Sequence, residues 1–456
     1  IILEEELAKA VINNKAKSGM GMIMDPKTGE VLAMANYPLF DPNKLKSSTP
    51  EIRKNRTIMD QFEPGSIYKF VPIGAAIEQK LFTPSSKIFC ENGAWKVADY
   101  TVHDTKEHEW LTVKDILVYS SNIGSGKIGQ KLGNQMLYDY SRKFGFGEAS
   151  SVGLYGESKG ILDLPENWSG VAYSQIPMGQ GIAVSMIQMM SAYATVANGG
   201  ILMKPFLISQ TFDDKNKVVS TSKTTPVRRA IEKETSEILR EMMEEVVYNG
   251  TAKGAYIKGY HIAGKTGTAQ KAENGKYSKQ KYTASFMAFF PADNPVLLCG
   301  IVVDEPVFGR HHGATSAVPA VKNCFTRIIN TPDFNSLYPQ VSQINKPSEE
   351  YSADKDSKSR EFTSLSMVYE SKNKNNNKEF GQDNRADEKE EEAIDPGEYD
   401  VIMPNLKGMH ILNAEKKLRD FGLIVQLNSS RGRVTKQVPS AGSYLKLGET
   451  CILDSE

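Results

Sequence analysis

A chain of 456 residues exceeds what one small core requires and allows one large domain with an appended module. Its 55 basic and 55 acidic residues cancel, so no net field draws it to nucleic acid or to an anionic membrane surface. The 40 % hydrophobic and 9 % aromatic content is globular, and the four cysteines, Cys90, Cys299, Cys324 and Cys451, show neither metal-ligand spacing nor a disulfide framework.

The chain opens on a charged helical segment, ILEEELAKAV, so residues 1–18 read as the end of a region that begins upstream. Gly21–Tyr37 carries two apolar runs around Asp25-Pro26-Lys27-Thr28-Gly29, which predicts a hairpin that starts the main sheet. Between Ser66 and Val196 the pattern turns helical, with Pro72 expected to limit or kink the first helix and Gly199-Gly200 stopping the last. After the helical TSEILREMMEEVVYNG come strand-like runs at Tyr260–Thr268, Thr283–Phe290 and Val296–Val303, then a helix near Val318–Ile329. Val296–Val303 is far short of the roughly 20 apolar residues of a spanning helix. Strands at both ends with helices inserted between them predict an α+β domain over residues 19–330.

From 331 to 397 the sequence fills with Lys, Glu, Asn, Asp and Ser, too few apolar groups to order itself, and reads as a disordered polar tether. Order resumes in a small α+β module at 398–456. There Met409, Leu412, Lys416, Leu418 and Phe421 predict a short amphipathic helix ended by Gly422.

Three motifs occur in fixed order: Ser66-Ile67-Tyr68-Lys69, Ser120-Ser121-Asn122 and Lys265-Thr266-Gly267-Thr268. The first follows Glu63-Pro64-Gly65, a turn that places Ser66 at a helix start with Lys69 one turn on along the same face. A serine hydroxyl is a poor nucleophile at neutral pH, and a lysine takes its proton only if the lysine pKa is lowered. Burial and a second cation both lower it. Lys265 is the candidate second cation, Ser120 a candidate relay to the leaving amine. The helix-start dipoles, with the amides of Ser66 and Thr268, are candidates to hold an oxyanion.

This ordered set resembles the active site of penicillin-binding proteins and serine β-lactamases. IMDPKTGEVLAMANYPLFDPN, FEPGSIYKF, SSNIG, KFGFGE, MGQGIAVSMIQMMSAYATVANGG, IAGKTGTAQ and ASFMAFFPADNPVLLCGIVVDEP extend the likeness to the transpeptidase domain of class B penicillin-binding proteins, of the division or sporulation type. The resemblance implies a serine β-lactamase/D,D-peptidase-like fold, an antiparallel sheet flanked by helices with a helical subdomain. It implies a D,D-transpeptidase that takes a D-Ala-D-Ala donor and an amine acceptor, is acylated by β-lactams and needs no metal or cofactor. Ser66 is then the nucleophile, Lys69 its base and Ser120 a proton relay. Asn122 binds the donor amide, Lys265, Thr266 and Thr268 the donor carboxylate, and Gly267 leaves room for the substrate as an added strand. The last residues resemble a PASTA module through MPNLKG, Ala414, Leu418, Gly422, Gly432, Val434, Gln437, Pro439, Gly442 and Gly448. By the same likeness a single anchor helix precedes Ile1, the catalytic domain lies outside the cytoplasm, and a membrane glycan polymerase and divisome proteins are partners.

Other signals read as structure. His311-His312 and His103/His108 stay unassigned, the Met178–Met190 run reads as core, and Gln180 as a residue of a tight loop shaping the cleft wall. Glu166 lacks the Glu-Xaa-Xaa-Leu-Asn pattern of a deacylating β-lactamase base, which favours transfer over hydrolysis. The alternatives are a D,D-carboxypeptidase or β-lactamase and, from another class, a β-lactam receptor or septal scaffold.

Overall fold

The computed structural model describes residues 1–273, 276–338, 401–420, 423–429, 431–441, 443–446 and 449–456. Helix α1 (Ile2–Asn13) leads into a hairpin of β1 (Ser18–Met24) and β2 (Val31–Tyr37). A long helical insertion follows, with α2 (Phe70–Glu78), α3 (Asn122–Leu132), α4 (Met186–Ala197) and α5 (Lys233–Tyr248). The chain then returns to the sheet through β3 (Ala263–Glu273), β4 (Lys276–Phe290) and β5 (Leu297–Asp304) and closes on α6 (Val318–Ile329) and α7 (Pro332–Leu337). The five strands pair in the order β3-β4-β5-β1-β2, antiparallel throughout, so β3 is an edge strand.

Helix α4 holds the two halves together. All its residues are buried, and its start carries a capping box in which Ser185 and Gln188 satisfy each other's backbone N–H, an arrangement that contributes about 1 kcal/mol. Of the methionines expected in the core, Met186 and Met190 sit against Gly300 of β5, where a Cβ would meet Met190 Sδ at 2.5 Å and, from β4, Met287 Sδ at 2.4 Å. The helix lies on the sheet where the sheet has no side chain.

On the opposite face α1 and α6 pack together. Glu6, 2 % exposed, accepts hydrogen bonds from Lys9 (2.7 Å), Asn323 (2.9 Å) and Arg327 (2.9 Å). Burial works against its charge, but these donors prevail and hold the carboxyl below its ordinary range.

Composition placed the polar tether from 331, yet Pro332–Leu337 is helical. Thr331 caps it through Phe334 N (3.3 Å), and the Phe334 ring lies 5.7 Å from Phe290. A single buried aromatic orders a segment whose average composition is polar. The rest of the expected tether, 339–397, lies outside the described residues.

In the C-terminal module α8 (Ile411–Asp420) accompanies β6 (Ile424–Leu427), β7 (Val434–Val438) and β8 (Thr450–Ser455), with β8 in the centre, parallel to β6 and antiparallel to β7. Its core includes Met403, Leu406, Ile411, Ala414, Leu418 and Leu453. The inward face of α8 is therefore Ile411, Ala414 and Leu418, whereas Leu412, expected inward, is 54 % exposed. Gln437 accounts for its place among the landmarks. Its amide receives Leu406 N (2.7 Å) and donates to Pro404 O (2.9 Å), tying β7 to the MPNLKG segment. Phe421, Gly422, Gly442 and Gly448 lie outside the described residues. Among the described residues no helix is long and apolar enough to cross a membrane.

Candidate active site

Ser66 stands on a 3-10 turn, Gly65–Tyr68, that runs into α2. An α-helical start at Ser66 was expected, with Pro72 as an obstacle. Pro72 has no N–H to donate to Tyr68 O, so the turn before α2 tightens while Pro72 sits harmlessly in its opening turn. The turn is clamped from the helical side. Tyr193 OH donates to Ile67 O (2.8 Å), Tyr68 hydrogen-bonds Ser141, and the Phe70 ring meets Tyr193 and Phe144 edge-on at 4.9 and 5.3 Å.

The three motifs converge. Lys69 and Lys265 are both 0 % exposed. Lys69 Nζ donates to Ser120 O (2.6 Å) and to Asn122 Oδ1 (2.7 Å), with Ser120 Oγ at 3.3 Å. Lys265 Nζ donates to the same Ser120 Oγ (3.0 Å) and to Thr266 O (3.1 Å). Burial lowers the Lys69 pKa to about 7, with Asp104 opposing the shift. Burial, reinforced by the Lys69 charge, pushes Lys265 well below its ordinary value. Two amines on one hydroxyl in a dry site cannot both stay protonated without a large cost, so the site holds a neutral amine near physiological pH.

Ser120 has φ +64°, a left-handed conformation that costs a serine about 1–3 kcal/mol. Asp104, which the sequence did not single out, supports it. Its carboxylate accepts from Asn122 N, Ile123 N (3.0 Å) and Ser121 Oγ (2.6 Å) at the start of α3, where the helix dipole favours negative charge. Asn122 Nδ2 donates to His103 O (2.8 Å). The HDTKEHEW segment is thus the support of the Ser120–Asn122 corner, and the only local hint was an acidic residue amid turn formers.

Gly267 makes room for something other than the expected substrate strand. A Cβ there would meet Ser285 Oγ at 2.4 Å, Ile67 Cγ2 at 3.0 Å and Pro64 O at 3.1 Å, so its bareness lets the Ser66 turn lie against β3. Thr266 and Thr268 project from the other face. Thr266 Oγ1 pairs with Thr251 Oγ1 (2.7 Å), and Thr268 Oγ1 accepts from Gly313 N (3.1 Å), which leaves its own proton to donate. Gly179 O accepts from Gly65 N (3.0 Å), so the Gly179-Gln180-Gly181 loop forms a cleft wall.

The remaining candidates lie in other settings. His311 stacks on Tyr282 (4.2 Å) and Phe308 (4.7 Å), His108 stacks on Tyr119 (5.4 Å), and Glu166 is exposed on the single turn Pro165–Asn167. All four cysteines are buried and unpaired, and among the described residues no three His, Cys, Asp or Glu side chains gather as a metal site.

A family model described as the penicillin binding protein transpeptidase domain matches residues 19–326. The chain belongs to this family. A PASTA domain model matches residues 401–454. Stage V sporulation protein D of Bacillus subtilis is 33 % identical over 350 residues, covering 76 % of this chain and 54 % of that protein. The probable peptidoglycan D,D-transpeptidase PbpC of Pseudomonas aeruginosa is 32 % identical over 320 residues, covering 70 % of this chain and 54 % of that protein. The chain thus spans about half the length of these curated relatives. The crystal structure of penicillin-binding protein 3 from Mycobacterium tuberculosis, complexed with aztreonam, superposes with a TM-score of 0.65 at 32 % identity, covering 72 % of this chain and 75 % of that one. An α+β transpeptidase fold with a C-terminal PASTA domain is therefore the architecture.

Proposed function

We propose that this chain is a D,D-transpeptidase that cross-links peptidoglycan stem peptides through an acyl-Ser66 intermediate. One observation carries the reading: two fully buried lysine amines share the Ser120 hydroxyl beside an edge strand and a clamped serine turn.

A neutral Lys69 has two N–H bonds, and Ser120 O and Asn122 Oδ1 accept both, which frees its lone pair to take a proton. Ser66 Oγ attacks the penultimate D-Ala carbonyl as its proton passes to Lys69. The amides of Ser66 and Thr268 stabilise the oxyanion. Ser120 relays the proton to the departing D-Ala nitrogen, and an amine of a neighbouring stem then takes the acyl group. The edge strand β3 receives the donor as an added strand, Asn122 holds its amide, and Lys265 with the Thr268 hydroxyl holds its carboxylate. Thr266 contributes through the Thr251 hydroxyl it fixes.

β-Lactams follow the same acylation route and stay bound. The likeness to a sporulation protein supports a septal role, and a membrane anchor, a site of action outside the cytoplasm, and a glycan polymerase and division proteins as partners belong to the same proposal. Intact-mass spectrometry and peptide mapping after exposure to penicillin test the assignment. The expected result is one adduct, on Ser66, absent from Ser66→Ala. An adduct on another residue, or rapid turnover of the antibiotic, overturns it.

A further inference from the structure

The end of α4 and the turn of the first hairpin take no part in the chemistry above, yet together they wall a second cavity. Asn198, just past α4, donates to Pro26 O (3.0 Å) in the β1–β2 turn and to Ile201 O (2.8 Å), which fixes the turn against the helix end. The start of α5 and the Asp293–Pro295 loop between β4 and β5 complete the walls around about 530 Å³. That volume suits a small organic molecule.

The charged lining is Lys27, Lys233, Arg240, Glu237 and Asp293, three cations against two carboxylates. The cations are weakly paired. Lys27 Nζ donates to the neutral Asn294 Oδ1 (2.6 Å). Glu237 Oε1 stands 3.7 Å from Lys233 Nζ and 3.8 Å from Arg240 Nη2, beyond hydrogen-bond reach of both. Arg240 is only 14 % exposed, its Nη1 donates to the backbone oxygen of Asp293 (2.5 Å), and its Nε is buried without a partner among the described residues. A guanidinium taken out of water with no hydrogen-bonded acid carries a cost that an anion beside it offsets. Lys27 and Arg240 grip adjacent residues of one loop, Asn294 and Asp293, so their charges flank the same stretch of wall.

The uncharged lining includes Ile201, Met203, Pro226 and Pro295. A single excess positive charge beside an apolar wall matches one negative charge carried on an apolar body, and a polyanion would leave charge uncompensated there. We propose that this cavity binds an organic carboxylate with an apolar body, the carboxylate held between Lys27 and Arg240 and the body against Ile201, Met203 and Pro226. None of the residues of the three motifs lines the cavity, so the inference stands apart from the transpeptidase reading.

The test titrates sodium octanoate into the full chain by isothermal titration calorimetry, with octylammonium and inorganic phosphate as controls. Octanoate binds saturably at one site per chain and raises the melting temperature as its concentration rises. Octylammonium, with the same body and the opposite charge, and phosphate, with charge and no body, each bind at least about tenfold more weakly. Lys27→Gln, at an exposed side chain, weakens octanoate about threefold, and Arg240→Gln weakens it about tenfold or more. Asp293→Asn removes an opposing charge and tightens binding about twofold, which gives a variant of opposite sign if Arg240→Gln does not fold. No saturation by about 5 mM octanoate, octylammonium binding as tightly as octanoate, or phosphate binding more tightly than either overturns the proposal. So does an unchanged affinity in both Lys27→Gln and Asp293→Asn.

Discussion

The cleft and the C-terminal module bury polar groups in opposite ways. In the module, Gln437 is satisfied on both sides of its amide and Leu418 and Leu453 fill an ordinary core, so these residues maintain the fold. In the cleft, two lysines are held dry and Ser120 adopts a left-handed conformation. Each of these costs stability, and the surrounding aromatic clamps and the Asp104 cap offset the cost. A region that departs from the packing rules in several linked ways is built for chemistry, and one that satisfies them is built to persist.

Three changes sharpen this contrast. Lys69→Arg keeps a charge that cannot deprotonate near neutral pH, so the second-order rate of penicillin acylation falls about a thousandfold or more, read by stopped-flow or quenched mass spectrometry. Activity at a tenth of wild type would remove Lys69 as the base. In the wild type, acylation requires neutral Lys69, whose pKa lies at about 7. The rate therefore falls about tenfold per pH unit below 7 and levels off above it, and a flat profile from pH 5 to 8 would contradict the assignment.

Asp104→Asn acts at one remove. It leaves the shape but weakens the cap on Asn122 N and Ile123 N, so acylation slows about tenfold as the Ser120–Asn122 corner loosens. Because Asp104 opposes the fall in the Lys69 pKa, the acid limb of the profile also shifts to lower pH. A slower rate with an unmoved limb would assign Asp104 to structure alone.

The smallest effect on chemistry belongs to the module. Leu418→Ala removes a fully buried side chain and destabilises that core by about 2–5 kcal/mol, seen as loss of its melting transition, with penicillin acylation changed less than twofold. A large loss of acylation would tie the module to the cleft.

How much of this was legible depended on whether the signal was local. Periodicity and turn residues predicted the β1–β2 hairpin, the β3 to β5 strands and α6, because each element's burial pattern repeats within a few residues. Motif order led to the expectation that Lys69, Ser120, Asn122 and Lys265 meet, and their side chains do converge. The inward face of α8 was misjudged by one position, since Leu412 and Ile411 are equally apolar and only the fold says which meets β6 and β8. Helix α7 was missed because one ring, Phe334, orders a polar stretch.

The sequence alone determined which groups are present and in what order: a hydroxyl, two amines, an amide and a strand carrying a glycine between two threonines. Only the tertiary structure decided that the amines are dry and that Asp104 accepts from the start of α3. Proton affinity depends on surrounding solvent and charge, and those come from residues far apart along the chain that folding brings within a few ångströms.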